Sequence, residues 1–194
     1  SACAIGRQWE KAMHVLQQMK EDGLKPDNIT YCAIISACEK GRMWEKALEI
    51  LEKMQFEGVK PDTITYSAAI SACEKCGKWE EAIKLLQTMK LKKVRIDSIT
   101  YSAAISACEK GFQWEKALQL LQQMQTENIK PTTITYSATI SALEKGRQWE
   151  KALQLLQEMR NSSNKPDTII YNATISACAS GHKWEKALQL MEQM

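Results

Sequence analysis

Proline, phenylalanine and histidine are scarce in this 194-residue chain, at four, two and two residues, and glycine occurs only eight times. With 44% hydrophobic and 25% charged residues beside so little proline and glycine, a low-complexity or disordered polymer is excluded, and a folded protein with a buried core is expected. Charge of one sign is also lacking: 26 basic residues stand against 23 acidic ones, a formal net charge of +3. That excess does not demonstrate a nucleic-acid partner by itself, so the placement of the charges has to carry any such argument. No apolar run approaches the roughly 18 to 20 residues that cross a bilayer, and no signal peptide opens the chain. The expectation is a soluble protein without membrane insertion.

What is present is repetition. Trp9, Trp44, Trp79, Trp114, Trp149 and Trp184 are spaced 35 residues apart with no insertion or deletion. A period of this length signals a solenoid. Counted from the residue after the Lys-Pro-Asp turn, the units are a partial one at 1–27, whole ones at 28–62, 63–97, 98–132 and 133–167, and a nearly complete one at 168–194. They read as one continuous array over 1–194. Because Ser1-Ala2-Cys3 aligns with Ser36-Ala37-Cys38 and Met194 falls before a unit's end, the sequence is expected to be part of a longer protein.

Each unit reads as two helices. The first spans about Thr63 to Lys75, with Asp62 or Thr63 as its N-cap. Gly77 is expected to end it, as Gly6, Gly41, Gly111, Gly146 and Gly181 do elsewhere, because glycine takes the left-handed conformation cheaply. The second helix starts at Trp79, and Trp79, Ala82, Ile83, Leu86 and Met89 form its apolar face. Gly58 caps that helix type and Pro61 prevents its continuation. Two links depart, with Lys93 and Ile96 replacing the glycine and proline in one and Asn161-Ser162-Ser163-Asn164 in the other, so both turns are expected to differ locally. One helix pair cannot bury its apolar face alone, so the array should be an all-α superhelix in which neighbours complete each other's core.

At about 100° per residue, Tyr66, Ile70 and Cys73 fall on one side of the first helix, while Ile64, Ser67, Ser71 and Lys75 share an arc of about 80° on the other. The first side reads as core and the second as a presented surface. Stacked helices sit about 8 to 10 Å apart, so the lysines would form a ladder of positive charge that suits a polyanion. Glu39, Glu74, Glu109 and Glu144 sit beside those lysines and weaken the field. A branched Ile can pack on any base, and a hydroxyl with a carboxylate can meet a Watson–Crick edge, which is free only in a single strand.

The 35-residue period, the Ile-Thr-Tyr-Ser-Ala start, the Glu-Lys-Ala-Leu second helix, the trailing Met and the Lys-Pro-Asp end together resemble the pentatricopeptide repeat family. The Trp-x2-Leu-Gly-x2-Tyr opening of the 34-residue tetratricopeptide repeat is absent. The Trp that opens helix two and the Ser-Ala-Cys segment depart from the family's usual residues. The resemblance implies an α-solenoid, a right-handed superhelix of stacked helix-turn-helix repeats, that binds single-stranded RNA at one nucleotide per repeat. It further implies that the fifth and last residues of each unit select the base: Cys32 with Asp62, Ser67 with Asp97, Ser102 with Thr132, Ser137 with Asp167, and Asn172 in the last unit. Ile29, Ile64, Ile99, Ile134 and Ile169 would sandwich the bases, and Lys40, Lys75, Lys110 and Lys145 would meet phosphate. A mitochondrial or chloroplast location, partners in an organellar ribonucleoprotein, and no enzymatic activity or cofactor are implied in the same way. The alternative is a scaffold solenoid whose face binds protein.

Competing roles for the remaining residues are weak. Each Trp opens the apolar face of helix two, so core is preferred to base stacking. Cys3, Cys38, Cys73, Cys108 and Cys178 share one repeat position, which Leu143 fills in another unit, so these read as apolar core. Cys73-Glu74-Lys75-Cys76 has no second ligand pair for zinc, and an odd number of cysteines, seven, suits a reducing compartment. His14 and His182 lie far apart with no recurring acid or nucleophile beside them, so no catalytic constellation is visible.

Overall fold

The structure, a computed structural model, describes residues 2–162 and 164–192, with the backbone alone for residues 2–8. Among the described residues there are eleven helices and no strand. They are α1 (Ala2–Glu21), α2 (Asn28–Lys40), α3 (Trp44–Phe56), α4 (Thr63–Lys75), α5 (Trp79–Leu91), α6 (Ser98–Lys110), α7 (Trp114–Thr126), α8 (Thr133–Lys145), α9 (Trp149–Asn161), α10 (Thr168–Ser180) and α11 (Trp184–Met191). The chain forms two compact units, Ser1–Ala103 and Ala104–Met194, divided within α6. In the first, α1 packs on α2, α2 on α3 and α4, α3 on α4, and α4 on α5. In the second, α8 packs on α7, α9 and α10, and α10 on α9 and α11.

This packing follows from the apolar faces. Tyr66, Ile70 and Cys73 of α4, with Ala82 and Met89 of α5, have no accessible surface, and the equivalent residues of the units 28–62, 98–132 and 133–167 are buried as well, while Tyr171 and Ile175 of the last unit are half-buried. Each fully buried aliphatic side chain contributes about 1.5 to 3 kcal/mol, and neighbouring helix pairs supply part of the surface that covers it. Ile83 and Trp79, expected on the same face, are only half-buried. Repetition thus builds an all-α array of helix pairs packed in sequence order within each unit.

The first helices start where a side chain satisfies their free amides. Asp62 Oδ1 accepts the Thr65 N–H at 2.9 Å from an extended backbone (φ −99°, ψ −175°), which settles the N-cap on Asp62 rather than Thr63. Asp27 and Asp167 repeat the arrangement, and Thr132 makes a reciprocal capping box with Thr135.

Their ends differ from expectation. Gly41, Gly146 and Gly181 have φ values of −78°, −82° and −86°, so none is left-handed. The left-handed residue is the next one: Arg42, Phe112, Arg147 and His182 have φ between 54° and 58°. Only in the unit 63–97, where Cys76 occupies the usual glycine position, does Gly77 take it, with φ 68°. At two of these positions closeness, rather than backbone freedom, explains the glycine: a Cβ on Gly146 would lie 2.3 Å from Trp114 Cδ1, and one on Gly181 2.3 Å from Trp149 Cδ1.

Gly6 ends nothing, since α1 runs through it from Ala2 to Glu21. A central glycine costs a helix about 1 kcal/mol relative to alanine, which the cooperative hydrogen bonding of a 20-residue helix offsets. Of the two variant links, the one at Lys93 does not differ. Lys93 adopts φ 55° where Gly58 has 78°, and Val94 N–H bonds Met89 O at 2.9 Å as Val59 N–H bonds Met54 O at 3.0 Å. The other link does: Ser162 is extended (φ −88°, ψ 176°), its hydroxyl donates to Met159 O, and Asn164 Nδ2 donates to Pro131 O. Ser163, in that link, lies outside the described residues.

Candidate nucleic-acid interface

The second residue of each first helix is an isoleucine left in water. Ile29, Ile64, Ile99, Ile134 and Ile169 are 63 to 76% exposed. An apolar side chain exposed once needs no explanation, but the same one at five successive repeat positions does.

The fifth residues are placed less uniformly. Cys32, Ser67 and Ser137 are half-buried and Asn172 is exposed, whereas Ser102 is buried. The last residues start the next unit's first helix, and Oδ1 of Asp62, Asp97 and Asp167 each accepts a backbone amide there, from Thr65, Thr100 and Ile170. Burial raises the Asp62 carboxyl, but bonds from the Thr65 amide and hydroxyl and from Asn28 outweigh it and hold the group below the usual carboxylate range. Both Asp62 oxygens are taken, Oδ1 by Thr65 Oγ1 at 2.8 Å and Oδ2 by Asn28 Nδ2 at 2.6 Å.

One expected base-selecting pair, in the unit 63–97, is bridged by a third side chain. Ser67 Oγ lies 2.6 Å from Thr100 Oγ1, which donates to Asp97 Oδ1 at 2.7 Å. Cys32 and Asp62 share no hydrogen bond, nor do Ser137 and Asp167. Thr100 was not among the expected site residues. Threonine recurs at this third position as Thr30, Thr65, Thr100 and Thr135, with Ile170 in the last unit, and that recurrence was the available signal.

The lysines stand at helix C-termini, where the helix dipole favours a cation. Lys75 Nζ pairs with Glu39 of the preceding repeat at 2.8 Å, and Lys145 with Glu109 at 2.6 Å. Lys40 is exposed and has no ion pair among the described residues. Lys110 is exposed.

The other polar chemistry is quiet. Burial pushes the thiols of Cys38 up to about 11 and of Cys73 and Cys108 up to about 12, so they stay protonated and unreactive, buried as Leu143 is at the same repeat position. The Cys3 side chain lies outside the described residues. Among the described residues, no group of three His, Cys, Asp or Glu is placed to hold a metal, and no helix is long and apolar enough to cross a membrane. The tryptophans are not deep core: Trp44, Trp79, Trp114 and Trp149 are half-buried and Trp184 is exposed. Trp114 and Trp149 occupy the seam between consecutive helix pairs, against Gly146 and Gly181, with Lys151 Nζ 4.0 Å over the Trp114 ring and Lys183 Nζ 5.2 Å over Trp149.

Comparison with known proteins places this geometry. The maize pentatricopeptide repeat protein PPR10 is similar over 97% of this chain at 27% identity, with a TM-score of 0.74. PPR10 in complex with an 18-nt psaJ RNA element matches over the same share at 26% identity, with a TM-score of 0.67. The chain spans 27% of PPR10. The PPR domain of Arabidopsis thaliana protein-only RNase P 1, in complex with tRNA, shares the fold at 18% identity and a TM-score of 0.69, over 80% of this chain and 83% of its own. A search of curated protein sequences gives no match. The family model for the pentatricopeptide repeat domain matches residues 1–43, 14–77 and 49–111, and that for pentatricopeptide repeat-containing proteins matches residues 82–194. Repeat length, paired helices and these matches agree, and the chain belongs to the pentatricopeptide repeat family.

Proposed function

We propose that the chain binds single-stranded RNA sequence-selectively, about one nucleotide per repeat, and serves organellar RNA metabolism by acting on the processing, stability or translation of a transcript. The observation that carries this reading is the series of exposed isoleucines at the second helix position, each followed three residues later by the fifth-position residue. An unstacked base offers its face to such an isoleucine and its Watson–Crick edge to the fifth and last residues. The likeness to PPR10, whose structure includes an RNA element, supports RNA as the ligand class. On this reading residues 1–194 act as one array, Lys40, Lys75, Lys110 and Lys145 meet phosphate, and the site reads 5′-N-G-N-G-Y-3′. A mitochondrial or chloroplast location belongs to the same reading.

A second reading, a scaffold subunit of a larger ribonucleoprotein, is favoured by one observation: Lys75 and Lys145 already have glutamate partners. Competition against pooled single-stranded RNA separates the two, since a scaffold retains no sequence in preference to others. Replacing Ser67 with Asn should move the preference at the second base from G to U by roughly 1 to 3 kcal/mol, on the scale of specific base contacts. Equal preference in parent and variant would remove sequence reading from this face.

A further inference from the structure

Two units carry the same expected base-selecting pair, Ser67 with Asp97 and Ser137 with Asp167, yet their hydrogen bonding differs. In the first, Thr100 follows the Asp at the third helix position; in the second, Ile170 stands there and has no hydroxyl. Thr100 is fully buried and places its side chain between Ser67 and Asp97.

Counting protons orients the chain. An ionised carboxylate only accepts, so the 2.7 Å contact from Thr100 Oγ1 to Asp97 Oδ1 uses the one hydroxyl proton that Thr100 has. The 2.6 Å contact between Ser67 and Thr100 must then run the other way, with Ser67 donating. Ser67 is left with lone pairs and no free proton. Asp97 Oδ1 also takes the Thr100 amide at 2.9 Å, while Oδ2 has no partner among the described residues. Ser137, by contrast, makes no hydrogen bond among the described residues and its hydroxyl remains free to donate or accept.

We infer that Thr100 is a positioning residue for base selection in the unit 63–97, fixing the Ser67 hydroxyl as an acceptor so that, with the free oxygen of Asp97, it demands two adjacent donors. The inference rests on the RNA-binding reading above. Among the four Watson–Crick edges only guanine presents neighbouring donors, at N1 and N2; adenine, cytosine and uracil each place an acceptor next to their donor. A serine free to rotate accommodates either polarity, so the unit 133–167 discriminates less sharply despite its identical Ser and Asp. The distinguishing group is a buried threonine outside the pair itself.

The experiment is competition between RNAs that differ only at the second or the fourth base, with the parent chain, Thr100→Val, Thr100→Ser, Ser67→Ala and Ile170→Thr. Valine fills the same buried space and leaves the amide bond to Asp97 in place. Thr100→Val should lower the preference for G over A at the second base about three- to tenfold, the worth of one net hydrogen bond, while Thr100→Ser keeps it. Ile170→Thr should sharpen the preference at the fourth base by a similar factor. Retention of the parental preference in Thr100→Val, with its loss in Ser67→Ala, would overturn the role of Thr100 and leave Ser67 as the reader. A parent that binds RNA with no preference at the second base overturns the inference but not RNA binding, and a parent that retains no RNA overturns both.

Discussion

Lys75 of α4 reaches back one repeat to Glu39 of α2, closing an ion pair of 2.8 Å between residues 36 positions apart. Lys145 and Glu109 repeat it at 2.6 Å. A phosphate that approaches either lysine competes with a carboxylate already in place and is repelled by it. Exposed pairs of this kind are worth about 0.2 to 1 kcal/mol, so Glu39→Gln and Glu109→Gln should each raise RNA affinity by about 1.5- to 5-fold at low salt. The gain should shrink as salt screens the carboxylate. Titrations of both variants at two salt concentrations check this, and affinity unchanged at low salt would show that these lysines do not meet phosphate.

Lys40 differs from Lys75 in having no glutamate partner to release among the described residues. If both contact phosphate, four such lysines give a slope of log affinity against log salt near −3, at about −0.7 per contact for a single strand. Lys40→Ala should flatten the slope by about 0.7 and cost the most affinity, because its phosphate contact displaces nothing. Lys75→Ala should flatten the slope less, since it also frees Glu39. Equal slopes in the parent and all four lysine variants would remove the ladder from the mechanism.

These pairs show what periodicity does and does not reveal. The bounds of α4, its cap and its buried Tyr66, Ile70 and Cys73 were legible because each depends on neighbours within one helix. Glu39 was seen only as a neighbour of Lys40, since the pairing of Lys75 with it depends on how one repeat lies over the next. Thr100 was hidden for a related reason: at the third position of a helix after an Asp cap it reads as an ordinary capping partner. Gly77 takes the left-handed conformation as read, whereas Gly41, Gly146 and Gly181 end their helices without it, and at the last two the constraint comes from a tryptophan 32 residues earlier. Contacts along the chain write themselves into local sequence, and contacts across the repeat stack do not.

Lys93 holds the left-handed turn after α5 at φ 55°, where Gly58 serves the equivalent link. A residue with a Cβ costs about 1 to 2 kcal/mol in that conformation, and glycine returns part of this as added freedom of the unfolded chain. Lys93→Gly should therefore stabilise by about 0.5 to 1 kcal/mol. Lys92→Gly, at φ −82° one residue earlier, should destabilise instead, since it relieves no strain and removes the side chain that donates to Gln55. Denaturant midpoints for the two variants should move in opposite directions, and a fall in both would mean that Lys93 is not strained.

Gly41 and Gly146 occupy the same repeat position with the same backbone, at φ −78° and −82°, yet only one has a tryptophan pressed against it. A Cβ on Gly41 would meet the Ala37 carbonyl at 3.4 Å and Met43 Cγ at 3.5 Å, which are ordinary contacts. Gly41→Ala is thus a substitution that the backbone accepts, and it should stabilise by about 0.4 to 1 kcal/mol through the smaller entropy of the unfolded chain. A Cβ on Gly146 would sit 2.3 Å from Cδ1 and 2.6 Å from Cγ of Trp114. Those atoms lie next to the Trp114 Cβ, so the ring cannot clear them by turning its far end, and the helix pairs must separate or the indole must leave its seat beneath Lys151. Gly146→Ala should accordingly destabilise by about 1 to 3 kcal/mol, the usual cost of overpacking. The cycle with Trp114→Ala isolates the cause: that background removes the three atoms nearest the added methyl, so Gly146→Ala should become neutral or stabilising, as at Gly41. A penalty for Gly146→Ala that persists without the indole would place its origin in the helix terminus and not in the seam between repeats.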